Sequence, residues 1–405
     1  MTLRIGCSTG TLFPDNSTEE SIDVLARLGV SDIEVMIQTH GECEAPFQAE
    51  LAKRSMDAGI SVHSVHALVQ IHQVFDAYQR RADEGWRRFE QVVEGAAHLG
   101  ARVLVWHGLC RGERGYALTS TEVIEAIDRL AGMCREHGLV LGLENVSWCA
   151  MSQVRDVLML ASMLPEMSNG DAVRFTFDVF QAAEAGANPF MMLNAMESRL
   201  VNVHLRDFGE ASPARRDLMP GQGSLPWPAL IRAIGNARYG GPLILEGSLG
   251  SDPAAMLQNT RRVLEPLVGE SPLTDDICDG ILPQGVVKGI ELFNAGEFYE
   301  CHEQIEHEWH AERGEIRRLY QGILQIGVGF HHARNGNQRG AILLLGDGIE
   351  KVSGFLPRCR GIDTERLVKE SSSNLDVIRV LDQNGTQLFA STAVPRIYFV
   401  DEPDL

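Results

Sequence analysis

The feature that most constrains how this chain folds is a regular alternation along its first two thirds. Eight short apolar runs (Leu3–Cys7, Asp32–Ile37, Ile60–Leu68, Ala101–His107, Leu139–Asn145, Val173–Asp178, Leu200–His204 and Pro242–Glu246) are separated by longer amphipathic stretches. Many of the runs are rich in Val, Ile and Leu, the pattern of strands buried on both faces. Helix-like segments such as Glu19–Leu28, Glu84–Leu99, Glu122–His137 and Pro253–Leu267 lie between them. Several such segments close on Gly (Gly29, Gly59, Gly100, Gly138), which tolerates the left-handed cap of a helix. Eight such units within residues 1–268 predict an α/β fold, a closed parallel (β/α)8 barrel of the TIM type. The weakest unit is Ala182–Asn194, where Gly186 and Pro189 interrupt the helix. An open doubly wound sheet competes, but no glycine-rich dinucleotide turn follows the first run.

Residues 269–283 are acidic, hold Pro and Gly, and lack periodicity, so they read as a linker. Residues 284–384 carry apolar positions at three- and four-residue spacing and predict a small all-α domain. Residues 385–405 form a tail with a strand-like Arg396–Val400.

The net charge of −19 disfavours nucleic acid, whose backbone demands clustered Lys and Arg. The pairs Arg80-Arg81, Arg87-Arg88 and Arg215-Arg216 read as solvated positions rather than a groove. The expected partner is a small-molecule substrate, with no membrane, and self-association into a homo-oligomer stays open. No charged-then-apolar leader and no apolar run near 18 residues is seen, so a cytoplasmic protein is expected. The eight cysteines are scattered without a CxxC pair and read as reduced thiols.

In a barrel of this kind catalytic groups sit at the C-terminal ends of the strands. Here run three ends in VHSVHA (His63, His66), run four in VWHG (His107), and run five in GLEN (Glu144, Asn145). Run six ends in TFD (Asp178), seven in VHLRD (His204, Arg206, Asp207), and eight in ILEG (Glu246). Ionisable residues that close apolar strands are costly to desolvate unless they pair or bind a cation. Six strands in sequence doing so point to a metal site. Three carboxylates and one imidazole suit one divalent ion: Mn²⁺, Mg²⁺, Co²⁺ or Zn²⁺. A cation chelating neighbouring oxygens of a sugar-like substrate would polarise a carbonyl and stabilise an enediolate.

The segments LGLENVSW (141–148), FTFDVFQAAEAG (175–186), VNVHLRD (201–207), PGQGSLPW (220–227) and LILEGS (243–248) resemble the xylose isomerase-like barrel superfamily. That group includes sugar epimerases, isomerases and dehydratases as well as endonuclease IV. The resemblance implies that Glu144, Asp178, His204 and Glu246 bind the metal, with Glu144 and Glu246 as the acid–base pair. It also implies that Arg206 touches substrate hydroxyls and that His66 and His107 line the pocket. Endonuclease-type members place a His three residues after the strand-six Asp, where this chain has Gln181, expected here against substrate. They also use an Asp-x-His pair where this chain reads Ala214-Arg215-Arg216-Asp217. These departures favour one metal and an isomerase or epimerase. A dehydratase, an endonuclease-like phosphodiesterase and a non-catalytic ligand-binding barrel with an interaction module remain the alternatives. His66 and His107 could support a second metal, and PGQGS (220–224) could offer backbone N–H groups to a phosphate.

The helical domain contains FNAGEFYECHEQIEHEW and YQGILQIGVGFHHARNGNQRGA. A zincin HExxH reading fails, because His307 lies five residues past His302, about 140° round the helix. His302 and Glu306 share a face, as do Gln321, Gln325 and His332 on the next helix. The segment resembles an all-helical family of unknown function, domain of unknown function 309. A hydrogen-bonded polar cluster is one expectation; a metal or small-ligand site from His302, Glu303, Glu306 and Gln325 is the other. Trp309 and Tyr320 are expected to pack the helix pair.

Overall fold

In a computed structural model the chain divides into two compact units, Met1–Ser271 and Pro272–Leu405. The structure describes residues 3–67, 73–111, 118–209, 218–237, 239–268, 277–278, 280–390 and 394–400. The expectations for Leu68, for Ala214–Asp217 with Arg215 and Arg216, for 269–276 and 279 of the linker, and for 391–393 and 401–405 of the tail lie outside the described residues.

Eight parallel strands close into a barrel: β1 (Arg4–Ser8), β2 (Asp32–Met36), β3 (Ser61–His66), β4 (Val103–Trp106), β5 (Val140–Glu144), β6 (Val173–Asp178), β7 (Leu200–Leu205) and β8 (Pro242–Leu245). β8 pairs with β1, so no edge is left open. Each strand is followed by helix: α1 (Thr18–Arg27), α2 (Ala45–Asp57), α3 (Gln79–His98), α4 (Thr121–Glu136), α5 (Val154–Met163), α6 (Val179–Glu184) with α7 (Pro189–Met196), α8 (Trp227–Asn236) and α9 (Pro253–Val268). Helix ends fall where the sequence places them; Gly100 and Gly138, at φ 73° and 75°, occupy the left-handed region just past α3 and α4. The interrupted unit resolves into α6 and α7. Asn188 caps the second through its side-chain oxygen, and Pro189 takes the first helical position, where its missing N–H costs nothing. Arg80, Arg81 and Arg87 are exposed on α3, and Arg88 pairs with Glu84, as solvated positions should.

Two strands carry an extra residue. β3 shifts register against β2, so that Ile33 pairs with Val62 but Glu34 with Ser64. β7 shifts against β6, so that Phe175 pairs with Leu200 but Thr176 with Asn202. The skipped residues are His63 and Val201, and they meet inside the unit: His63 Nε2 lies 3.2 Å from the Val201 carbonyl oxygen. Such bulges re-aim the side chains that follow them. Here those are Ser64 and His66 on β3, and Asn202 and His204 on β7.

The second unit holds α10 (Gln284–Ala295), α11 (Phe298–Ala311), α12 (Arg317–Arg334), α13 (Gln338–Ser353), α14 (Thr364–Val380) and α15 (Gln383–Ala390). α12 and α13 come close through glycine: a Cβ on Gly348 would lie 2.7 Å from the Gly322 carbonyl oxygen. The unit is helical as expected, with one short addition: β9 (Arg358–Cys359) and β10 (Ile362–Asp363) pair antiparallel around the turn at Arg360–Gly361. One expectation needs correction. The cysteines are not all reduced: Cys278 is bonded to Cys359, 81 residues away, so the argument from thiols to a reducing compartment loses its ground. Residues 277–278 and 280–283 of the expected linker are described and run beside this hairpin. Arg360 donates to the carbonyl oxygens of Ile277, Cys278 and Ile281, tying that segment to the hairpin. In the tail, Asn294 clasps both backbone groups of Ile397, and Phe399 bridges to Ile362. No helix among the described residues is long and apolar enough to cross a membrane.

Candidate metal centre

The C-terminal ends of the barrel strands gather the ionisable residues named from sequence, and one more. His66 ends β3, Glu144 ends β5, Asp178 ends β6 and His204 lies in β7, while His107 and Glu246 directly follow β4 and β8. Glu34, in the middle of β2, completes the group and was not anticipated. A single Glu inside the run DIEVMI was its only signal. Glu34, Asp178 and His204 are wholly buried, and Glu144 and His66 nearly so.

Three overlapping sets of ligand atoms form, one of them from Glu34, His66, His204 and Glu246. Those of Glu144, Asp178, His204 and Glu246 all lie within 4.8 Å of one another. His204 Nδ1 is 3.2 Å from Glu144 Oε1 and 3.2 Å from Glu246 Oε1. The third set is His66, His107 and Glu144. His66 Nε2 and His107 Nε2 are 3.1 Å apart and lie 3.1 and 3.2 Å from Glu144 Oε2. His66 Nδ1 faces the Ala67 carbonyl oxygen at 3.2 Å, an acceptor that places the ring proton there and leaves the Nε2 lone pair inward.

Burial acts on every group here, and the charges partition around it. Burial raises Glu34 and Glu144, but the neighbouring imidazoles outweigh it, holding Glu34 at about 2 and Glu144 well below the carboxylate range. Burial lowers His66 and His204, and their carboxylates overcome it, lifting His66 to about 9 and His204 well above its usual value. His107 stays lowered by burial. Burial wins at Asp178, pushed up to about 6, and at Glu246, pushed up to about 8. These two carboxylates, left without enough compensating charge, also hold buried oxygens that accept no hydrogen bond, Asp178 Oδ2 and Glu246 Oε1. Oxygen and imidazole donors with uncompensated negative charge fit a divalent cation.

Neighbouring residues fix this geometry. Asn145 clasps the Asp178 backbone, and the Gln181 N–H donates to Asp178 Oδ1 at 2.7 Å. The Gln181 side-chain oxygen accepts from Ser147 N at 2.9 Å, bracing the loop after β5. The Arg206 guanidinium lies 4.0 Å over the Phe180 ring, and its charge draws the Asp178 pKa down against burial. Trp148, partly exposed, meets His107 edge-on at 5.3 Å. Asp207 belongs to the scaffold: its carboxylate accepts from the N–H groups of Phe208, Gly221, Gly223 and Leu225 and from Trp227 Nε1. The PGQGS loop therefore spends Gly221 and Gly223 N–H on Asp207, and Ser224 N–H on the Phe208 carbonyl, which removes the phosphate-cradle reading.

In the helical unit the anticipated residues differ in their surroundings. His302 Nε2 is 4.0 Å from Glu306 Oε1, Glu303 is exposed, and Gln325 Oε1 is buried without a partner. Among the described residues, sets of three close ligand atoms occur only in the barrel. Tyr320 is wholly buried and the Arg317 guanidinium stacks 4.4 Å over Trp309, so both aromatics serve packing. A groove of about 580 Å³ lies along α14 beside Val394 and Pro395.

A closed (β/α)8 barrel with buried carboxylates and imidazoles at its strand ends defines an enzyme-type barrel whose clustered donors could hold a metal. The family model "Xylose isomerase-like TIM barrel" matches residues 22–267, and the chain belongs to that family. The model "Domain of unknown function (DUF309)" matches residues 286–344. An uncharacterized protein of Mycobacterium leprae is 26% identical over 278 residues, covering 64% of this chain and 93% of that protein. Among solved structures, an L-ribulose 3-epimerase superposes with TM-score 0.53 at 17% identity, covering 66% of this chain and 94% of its own. The probable 3-DHS dehydratase of Bacillus anthracis gives TM-score 0.52 at 12% identity, covering 65% and 99%.

Proposed function

We propose that the barrel is a metal-dependent isomerase or epimerase acting on a small sugar, cyclitol or related hydroxy-carbonyl compound. The observation that carries this is the set Glu144, Asp178, His204 and Glu246, with ligand atoms mutually within 4.8 Å and unsatisfied oxygens on Asp178 and Glu246. These four residues would hold the divalent ion, which when bound supplies Lewis-acid polarisation of a carbonyl. Glu144 and Glu246 flank His204 and are the proton-transfer pair. One, as carboxylate, takes the proton from the carbon next to the carbonyl, leaving an enediolate. The other, as carboxylic acid, returns a proton to the opposite face, so no atom is gained or lost overall. Arg206, His107 and Gln181 are assigned to substrate hydroxyls. The likeness to an L-ribulose 3-epimerase supports this substrate class.

Incubation of metal-loaded protein with a ketose and inosose panel in D₂O tests the reading. Deuterium incorporated beside the carbonyl with mass otherwise retained supports it. Loss of water would transfer the protein to the dehydratases, and no exchange on any member would remove the proton-transfer role.

A second reading concerns metal count. His66 Nε2, His107 Nε2 and Glu144 Oε2 converge within 3.1–3.2 Å of one another, as three donors around one cation would. A second ion there would share Glu144 with the first. Metal analysis of wild type against His107→Ala, with two equivalents falling to one, would support it.

A further inference from the structure

Glu34 has no place in the proton-transfer scheme, yet the barrel is built around it. A carboxylate taken wholly out of water persists only where donors and charge compensate it. Its Oε2 receives three groups: Ser64 Oγ at 2.7 Å, Asn202 Nδ2 at 2.9 Å and His204 Nε2 at 3.0 Å. All three reach it because of the two bulges, which set Ser64 opposite Glu34 and carry Asn202 and His204 inward from β7.

The two ring nitrogens of His204 thus face different worlds. Nδ1 faces Glu144 and Glu246, and Nε2 faces Glu34 Oε2 at 3.0 Å and Asn202 Nδ2 at 2.9 Å. With a cation among Glu144, Asp178 and Glu246, His204 keeps one ring proton, and on Nε2 that proton is donated to Glu34 Oε2 at 3.0 Å. Nδ1 is then the nitrogen left to a cation. A ring rotated about its axis would lose the Glu34 bond and turn an N–H toward the ligand carboxylates. A carboxylate behind a metal-bound imidazole fixes tautomer and orientation and makes the imidazole a stronger donor.

We infer that Glu34 is the positioning residue of this centre, holding His204 as an Nδ1 ligand through an Nε2–H···Oε2 bond. The inference rests on the metal-binding reading above. It extends that reading to a residue outside the four ligands.

The test is Co²⁺ binding by wild type and Glu34→Gln, measured by competition with a chromophoric chelator and by the visible spectrum of the bound ion. Glu34→Gln keeps the shape and removes the charge. The expected result is a loss of about 10–100-fold in Co²⁺ affinity with an altered spectrum, in a variant that still folds without metal. A variant with wild-type affinity and spectrum would overturn the inference, as would a lower melting temperature with unchanged Co²⁺ binding, which marks a purely structural role. A wild type that binds no Co²⁺ would overturn the metal-binding reading itself. Should Glu34→Gln not fold, two-bond ¹⁵N–¹H spectra of histidine-labelled, Zn²⁺-loaded wild type decide: a proton on Nε2 of His204 supports the inference, and one on Nδ1 overturns it.

Discussion

Asn145 holds Asp178 by both of its backbone groups, donating from Nδ2 to the carbonyl oxygen at 2.9 Å and accepting from the N–H at 2.8 Å. The bond pair ties the end of β5 to the end of β6 and sets where the Asp178 carboxylate points. Replacing Asn145 with Ala strands two buried backbone groups, each costing about 1–3 kcal/mol. The account expects lower stability in urea together with metal affinity reduced about tenfold. Lower stability with unchanged metal affinity would show that Asp178 is aimed by other contacts.

Asp207 organises the loop from Gly221 to Trp227 through four donors in that loop, with the Phe208 N–H as a fifth. Asp207→Ala removes a charged acceptor that the N–H groups converge on, with a cost of at least about 3 kcal/mol. Limited proteolysis should then cleave within residues 218–227, where wild type resists. An uncut loop at equal protease exposure would contradict the assignment.

The α12–α13 contact makes a paired prediction. Gly348→Ala places a methyl 2.7 Å from the Gly322 carbonyl oxygen, with backbone on both sides, and should cost about 1–3 kcal/mol. Gly346→Ala on the same helix meets nothing within 4 Å and should stabilise by up to about 1 kcal/mol through helix propensity. Thermal melting of the two variants should move in opposite directions; movement in the same direction would count against the packing argument.

Much of the barrel was legible because strand burial and helix capping are local. The run Val173–Asp178 is the strand β6 residue for residue, and the glycine caps fall where they were read. The strand-end residues were legible because polar groups closing apolar runs have few other uses. Glu34 was not. It sits mid-strand, and only the register shifts in β3 and β7, which sequence does not reveal, show that it points at His204. PGQGS was misread for a related reason: glycine-rich N–H groups mark an acceptor, and the acceptor is Asp207 within the chain. The Cys278–Cys359 bond spans 81 residues with no motif at either end, so spacing could not predict it. In the helical unit, shared faces of His302 with Glu306 and of Gln321 with Gln325 were readable, but their distance across the helix pair was not.

The central claim is that Glu144, Asp178, His204 and Glu246 together hold a divalent ion, and metal stoichiometry tests it most directly. Purified protein is stripped, reloaded with Mn²⁺ or Co²⁺, passed through a desalting column, and analysed beside the Asp178→Asn/Glu246→Gln double variant. The account predicts at least one equivalent retained by wild type and less than a tenth of that by a folded double variant. Retention of equal metal by both proteins, or of none by wild type, would contradict it.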